Sequence, residues 1–221
     1  MSPIDRDIPR SISSLDAVRR LVETSPVEIE AVFFDVDGTL FDSTGIAARC
    51  HAEAARASGV GDVSPEEVAR HIGVRRIEAP EEVREMYRPY RELTDREAQE
   101  LIGLYRRRFR AAVEGEAPGK GKFADVDPLL TFLRNRNISV GIITNRSRDL
   151  VVPQLERGRI RYDALKTSTE GNKSEQLRLH METFKIRDPA QCLVVGDRES
   201  DVQAGQAVGM QGVQIIREEG P

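Results

Sequence analysis

The sequence predicts an α/β fold, a parallel sheet with helices on both faces, interrupted by an inserted all-helical domain. Three observations predict it. Past residue 124, short apolar runs alternate with helical patterns. Between residues 59 and 114 the pattern is helical and no strand convinces. Ahead of both stands a mainly apolar run, Ile29 to Phe34, that ends in Asp35 and Asp37 and then Gly38 and Thr39. A short run of that kind reads as a strand buried on both faces. In an open α/β sheet, ligands bind at the carboxyl ends of such strands.

The bulk properties narrow the class. The chain has 221 residues, enough for one large domain or a domain with a sizeable insert. It is 39% hydrophobic and 32% charged, with a net charge of −4. That balance argues against a nucleic-acid or membrane surface. No apolar run approaches the ~20 residues that a membrane-spanning helix needs. The first residues lack a basic start followed by an apolar core, so no secretory signal is expected. Cys50 and Cys192, the only cysteines, fit a reduced cytoplasm better than a disulfide framework.

The elements follow in order. Residues 1–12, with Pro3 and Pro9, read as a loose tail within an N-terminal extension over residues 1–29. Ser13 or Ser14 can cap a helix through Glu23 whose apolar face is Leu15, Val18, Leu21 and Val22. Pro26 ends it and the aspartate-tipped strand follows. Thr44 to Ser58 is alanine-rich and stops at Gly59, a second helix. Ser64-Pro65-Glu66-Glu67 reads as an N-cap, a proline at the first helical position and an acidic first turn. Thr94-Asp95-Arg96-Glu97 has capping-box spacing and opens a helix through Ala111. Residues 44–123, including a glycine-, proline- and lysine-rich linker from Gly115 to Lys122, therefore form the helical insert. The linker mimics a phosphate-binding loop, but its glycines are one residue too close and Lys120 is followed by glycine.

Residues 30–43 and 124–221 form the α/β core. Helices are expected at 127–137, 148–157, 174–184 and 201–208, and strands at 138–143, 163–167, 192–195 and 213–216.

Residues able to do chemistry recur at the strand ends. Asp35 and Asp37 lie two residues apart and share a face while the chain stays extended. Two carboxylates forced together repel unless a cation or proton lies between them. Thr144 and Asn145 follow Ile143, Lys173 lies in a turn, and Gly196 to Asp201 reads Gly-Asp-Arg-Glu-Ser-Asp after Val195. Singly these residues have plain readings. Asp197 or Asp201 could cap a helix, Thr144 could be a turn residue, and Lys173 could be solvated.

Taken together and in order, the four clusters resemble the signatures of the haloacid-dehalogenase (HAD) superfamily phosphatases, over about residues 30–217. The helical insert resembles the cap of the phosphoglycolate-phosphatase-like branch. The resemblance implies a HAD-like, Rossmann-like core and a Mg²⁺-dependent hydrolase acting on a small phosphorylated metabolite. It makes Asp35 the nucleophile and Asp37 the general acid and base. It assigns Mg²⁺ to Asp35, the backbone carbonyl of Asp37, and Asp197, with Asp201 just behind. Gly38, Thr144, Asn145 and Lys173 would hold the phosphate. The lysine signature departs from the branch pattern, since Ser174 rather than proline follows Lys173, and Lys166 competes for the role. A phosphomutase or a catalytically silent binding protein could use the same scaffold. Haloacid dehalogenation needs neither Mg²⁺ nor a carboxylate at Asp37. In the insert, His51, Arg49, Arg75, Arg76, Tyr87 and Tyr105 could reach a substrate, although helical arginines are more often solvated and helical tyrosines more often core.

Overall fold

The computed structural model describes residues 11–72 and 75–217, so the tail reading at residues 1–10 lies outside it. The described residues fall into two compact units.

The first unit, residues up to 42 with 121–144 and 160 onward, is the α/β body. Its strands are β1 (Ser11–Ile12), β2 (Ala31–Phe34), β3 (Ser139–Ile143), β4 (Ala164–Lys166), β5 (Cys192–Gly196) and β6 (Gln211–Ile215). They make one sheet in the order β1-β6-β5-β2-β3-β4, parallel at every pairing. Helices α1 (Asp16–Thr24), α6 (Val126–Asn135), α8 (Lys173–Phe184) and α9 (Glu199–Gln206) belong to this unit. β2 is central, between the strands that lead to Thr144 and Asp197. Every residue of β2 is buried, which is why it reads as an unbroken apolar run.

The expected loose tail is corrected at residues 11 and 12. Ser11 and Ile12 pair with Gln214 and Ile215 and extend the sheet by one parallel strand. Two residues carry too little pattern to be read as a strand. Their pairing is decided by the exposed edge of β6, with Ile216 N–H donating to Ile12 O at 2.7 Å.

The second unit, residues 43–120 and 145–159, is helical. It contains α2 (Thr44–Ala57), α3 (Pro65–Ala69), α4 (Pro80–Tyr87), α5 (Asp95–Gly115) and α7 (Arg148–Arg157). The N-cap at Ser64 and the capping box at Thr94/Glu97 form as read, and Glu67 completes a capping box with Ser64 as well. Tyr87 and Tyr105 are fully buried in its core, as helical tyrosines more often are, and His51 is buried with them. Arg75 and Arg76 pair with Glu82 and Glu81. In the linker, Lys120 pairs with Glu116 and Lys122 with Asp127.

Residues 145–159, read from sequence within the α/β core, cluster instead with the helical unit. The reason is local chemistry. Pro153 has no N–H for the Asp149 carbonyl one turn back. Arg110 of α5 donates to that carbonyl at 3.0 Å and to the Asp149 carboxylate at 3.2 Å. At the start of α7, Glu78 accepts from Ser147 N at 3.2 Å and Ser147 Oγ at 2.5 Å, and also from Arg106 at 2.9 Å. Arg146 lies over the Phe109 ring at 4.0 Å.

Two buried histidines report on the cores. His51 Nε2 faces the Ile77 carbonyl at 3.1 Å, so it carries the proton and donates. Nδ1 then accepts from the Tyr87 hydroxyl at 2.7 Å. His180 Nε2 donates to the Ile142 carbonyl at 2.9 Å, with its ring tilted against Phe33. Burial lowers both from 6.5 to about 4, so both are neutral in the folded chain. A depressed histidine contributes stability that is complete above pH 6.5 and lost as the pH falls through about 4. Imidazole NMR should therefore show neither ring titrating between pH 8 and pH 5. A midpoint near 6.5 for either ring would contradict the burial and tautomer assignments.

Candidate active site

The site forms where the carboxyl ends of β2 and β5 lie side by side. Parallel pairing sets Phe34 beside Val195, and Asp35 N–H donates to the Val195 carbonyl at 2.9 Å. The next residues of both strands, Asp35 and Asp197, thus emerge at one edge. One carboxylate oxygen from each of Asp35, Asp197 and Asp201 lies within 4.8 Å of the other two. No sequence pattern short of the fold specifies that convergence.

Two glycines make room for it. Gly38 has φ +79°, a left-handed conformation that disfavours any side chain, and a Cβ there would strike the Asp197 carboxylate. At Gly196 a Cβ would strike Asp201. Asp201 is fully buried at the start of α9, and its Oδ2 accepts from Arg198 N at 3.2 Å. The N-cap of α9 is Arg198, so Asp201 is not the capping residue; it stands at the third helical position and returns one oxygen to the Arg198 N–H. The other oxygen accepts from Lys173.

Lys173 opens α8, whose N-cap Asn172 accepts from Glu175 N at 3.1 Å. Its ammonium donates to Asp35 Oδ1 at 2.6 Å as well as to Asp201. Lys166 ends β4 beside Ile143, so of the two competing lysines it is Lys173 that reaches Asp35. Burial alone would lower the Lys173 pKa, but the carboxylates of Asp35 and Asp201 outweigh burial and raise it.

The carboxylates show the opposite stress. Burial raises Asp35 well above its ordinary value; Lys173 offsets part of this and the charges of Asp201, Asp197 and Asp37 add to it. Burial also pushes Asp197 up to about 6, with Arg198 opposing and Asp201 adding. Asp35, Asp197 and Asp201, with Asp37 nearby, face the Lys173 ammonium and the Arg198 guanidinium 3.7 Å from Asp197; that leaves an anionic excess that a divalent cation would balance, and all-oxygen donors are what a hard cation prefers. The residues present fit such an ion.

Asp37 is half-buried in the turn after β2 and bridges to Phe41. Thr144 directly follows β3, buried to 1% exposure. Gln176, which the sequence reading missed, clamps this edge. Its Oε1 accepts from Thr144 N at 2.9 Å, and its Nε2 donates to the carbonyls of Thr144 at 3.0 Å and Gly171 at 2.9 Å. A glutamine in the first turn of a helix carries no signal of that role. Asn145, the next residue after Thr144, belongs to the helical unit. Cys50 and Cys192 are buried free thiols, pushed up by burial, Cys192 to about 12.

An acidic cluster with a buried lysine, at the carboxyl edge of a parallel sheet, is an arrangement with the charges to accommodate a hard cation beside an anionic group. The comparisons with known proteins give the family. The haloacid dehalogenase-like hydrolase family matches residues 32–215, and the chain belongs to that family. It is 31% identical over 187 residues to a phosphoglycolate phosphatase of Photorhabdus laumondii, covering 82% of this chain and 77% of the relative. A phosphoglycolate phosphatase of Chromobacterium violaceum is 28% identical over 197 residues, 85% of each chain. Among solved structures, a β-phosphoglucomutase of Clostridium difficile superposes with TM-score 0.71 at 18% identity, covering 84% of each chain. The chain is a hydrolase of the HAD phosphatase type.

Gly38→Ala tests the packing of the site. Its Cβ would meet Asp197 in a backbone conformation that side chains rarely adopt. Chemical denaturation should show a loss of about 1–3 kcal/mol in stability. An unchanged unfolding midpoint would mean that the turn relaxes and Asp197 is not held there.

Proposed function

We propose that this protein is a Mg²⁺-dependent phosphomonoester hydrolase of the cytoplasm, acting on a small phosphorylated metabolite through an aspartyl-phosphate on Asp35. The single observation that carries the reading is the Lys173 ammonium bonded to Asp35 at 2.6 Å and to Asp201, with an Asp197 oxygen within 4.8 Å of both acids. Asp35, Asp197 and the backbone carbonyl of Asp37 would hold Mg²⁺, with Asp201 orienting the cluster. When bound, the ion supplies positive charge against the phosphate oxygens.

The chain's own residues carry the steps. A carboxylate oxygen of Asp35 attacks phosphorus and the bond to the leaving oxygen breaks. Asp37 gives that oxygen its proton. Water then attacks the same phosphorus, Asp37 takes the proton back, and inorganic phosphate leaves Asp35. Lys173, Thr144 and backbone N–H groups near Gly38 and Asn145 would hold the phosphate oxygens in place, and such positioning supplies most of the catalysis in phosphoryl transfer. The helical unit is the proposed substrate-selecting cap. Among the described residues no helix is long and apolar enough to cross a membrane.

Two relatives are named phosphoglycolate phosphatases, so phosphoglycolate heads the substrate panel. Release of inorganic phosphate separates hydrolysis from a phosphomutase, which returns the group to a sugar. EDTA should abolish turnover, added Mg²⁺ should restore it, and Mg²⁺ should raise the melting temperature by binding the folded state. Full activity in EDTA would refute the metal assignment.

The two leading aspartates should behave differently. Asp35→Asn should leave no detectable activity. Asp37→Asn loses proton transfer, worth about 10²–10⁴-fold. Alkyl phosphates need the acid and should suffer most. Aryl phosphates should show a burst while phosphorylated Asp35 accumulates. Equal turnover of alkyl and aryl phosphates by Asp37→Asn and the parent would remove Asp37 from the mechanism.

A further inference from the structure

The turn that carries Asp37 is closed on its inner side by its own backbone. Gly38 N–H donates to the Phe41 carbonyl at 2.7 Å, and Leu40 N–H and Phe41 N–H both donate to the Val36 carbonyl at 3.0 Å. The carbonyls of Thr39 and Leu40 are held from outside it. Phe123 N–H donates to Leu40 O at 3.1 Å. The Arg217 guanidinium lies over the Phe123 ring at 3.9 Å, and its Nη2 donates to Thr39 O at 2.6 Å.

Arg217 is itself fixed. Its Nη1 donates to Asp125 Oδ2 at 2.7 Å, and both side chains are mostly buried, at 14% and 17% exposure. The same oxygen accepts from Leu15 N at 2.8 Å, at the start of α1. Just before Arg217, Ile216 N–H donates to Ile12 O in β1. A planar guanidinium can serve a carboxylate, a carbonyl and an aromatic face at once, which an ammonium cannot. An ion pair this buried gains its value from geometry rather than from net stability.

We propose that Arg217 is a positioning residue for the Asp37 turn: set by Asp125 and the Phe123 ring, its guanidinium holds the Thr39 carbonyl and thereby fixes where the Asp37 carboxyl stands. The proposal deepens the phosphatase reading above and rests on its assignment of Asp37 as acid and base. The β1–α1 extension then belongs to the apparatus that aligns proton transfer. The guanidinium's partners are Asp125, the Thr39 carbonyl and the Phe123 ring, none of them a residue assigned above to phosphate or metal.

The experiment compares Arg217→Ala, Arg217→Lys and Asp37→Asn with the parent, using one alkyl and one aryl phosphate at saturating Mg²⁺. Melting temperature is measured alongside. Both Arg217 variants should lose about tenfold or more in kcat on the alkyl phosphate, a part of the general-acid contribution. KM should change less than kcat, because the Lys173 and Thr144 contacts proposed for the phosphate lie off this turn. On the aryl phosphate both should gain burst amplitude over the parent, since hydrolysis of the intermediate slows more than its formation. Guanidinium at sub-denaturing concentration should restore part of the alkyl rate to Arg217→Ala and none to Arg217→Lys. Arg217→Lys keeps a positive charge facing Asp125, so it reads the effect even where the alanine variant folds poorly. Equal loss on both substrates in step with the folded fraction, and no burst, would make Arg217 purely structural and overturn the proposal. Unchanged kinetics would overturn it as well. If Asp37→Asn itself shows no leaving-group dependence, the assignment of Asp37 fails and the role of Arg217 falls with it. If Asp37→Asn shows the dependence and the Arg217 variants do not, only the present inference fails.

Discussion

Three carboxylates share a few ångströms with one ammonium, and the α/β body depends on that electrostatic constraint. Like charges at such separations repel strongly wherever water is excluded. Asp201 is fully buried and Asp35 nearly so. Lys173 relieves part of the repulsion by bonding both. The remaining excess is what a divalent cation would balance. Stress of this kind persists only where the surrounding fold over-determines the positions of the groups.

Here the over-determination comes from the sheet. β2 is central and in register with β3 and β5, so the chain segments after all three strands leave from one edge. Gly38 and Gly196 clear space where a single methyl group would collide with Asp197 or Asp201. Gln176 ties the end of β3 to the turn at Gly171. Behind the Asp37 turn, Arg217, Asp125 and Phe123 tie the first and last described elements of the unit to one backbone carbonyl. The site is therefore supported by residues that need no chemistry of their own.

The helical unit is organised around buried polar groups of a different kind. Neutral His51 links Tyr87 to the Ile77 carbonyl, and its ring lies 4.8 Å from that of Tyr105. Satisfied in this way, the polar atoms orient the core instead of weakening it. Around α7, the carbonyl freed by Pro153 and the Glu78 carboxylate supply acceptors that match donors on α5 and at Ser147.

Much of this was legible in the chain itself. The N-cap at Ser64, the capping box at Thr94, the helix over 148–157, and the buried run before Asp35 are local patterns, fixed by neighbours a few residues away. The order of the acidic and lysine clusters also pointed to the family. Three features were not legible, namely the strand at Ser11–Ile12, the clustering of 145–159 with the helical unit, and the clamps made by Gln176 and Arg217. Each depends on a partner far away along the sequence, and no residue type announces such a partner. The sequence by itself determined most of the strands and helices and which strand ends carry charge, because periodicity and capping act over one or two turns. Only the tertiary structure decided that Lys173 rather than Lys166 meets Asp35, and that Arg217 meets Thr39, because long-range pairing is selected by the packed geometry of the whole sheet.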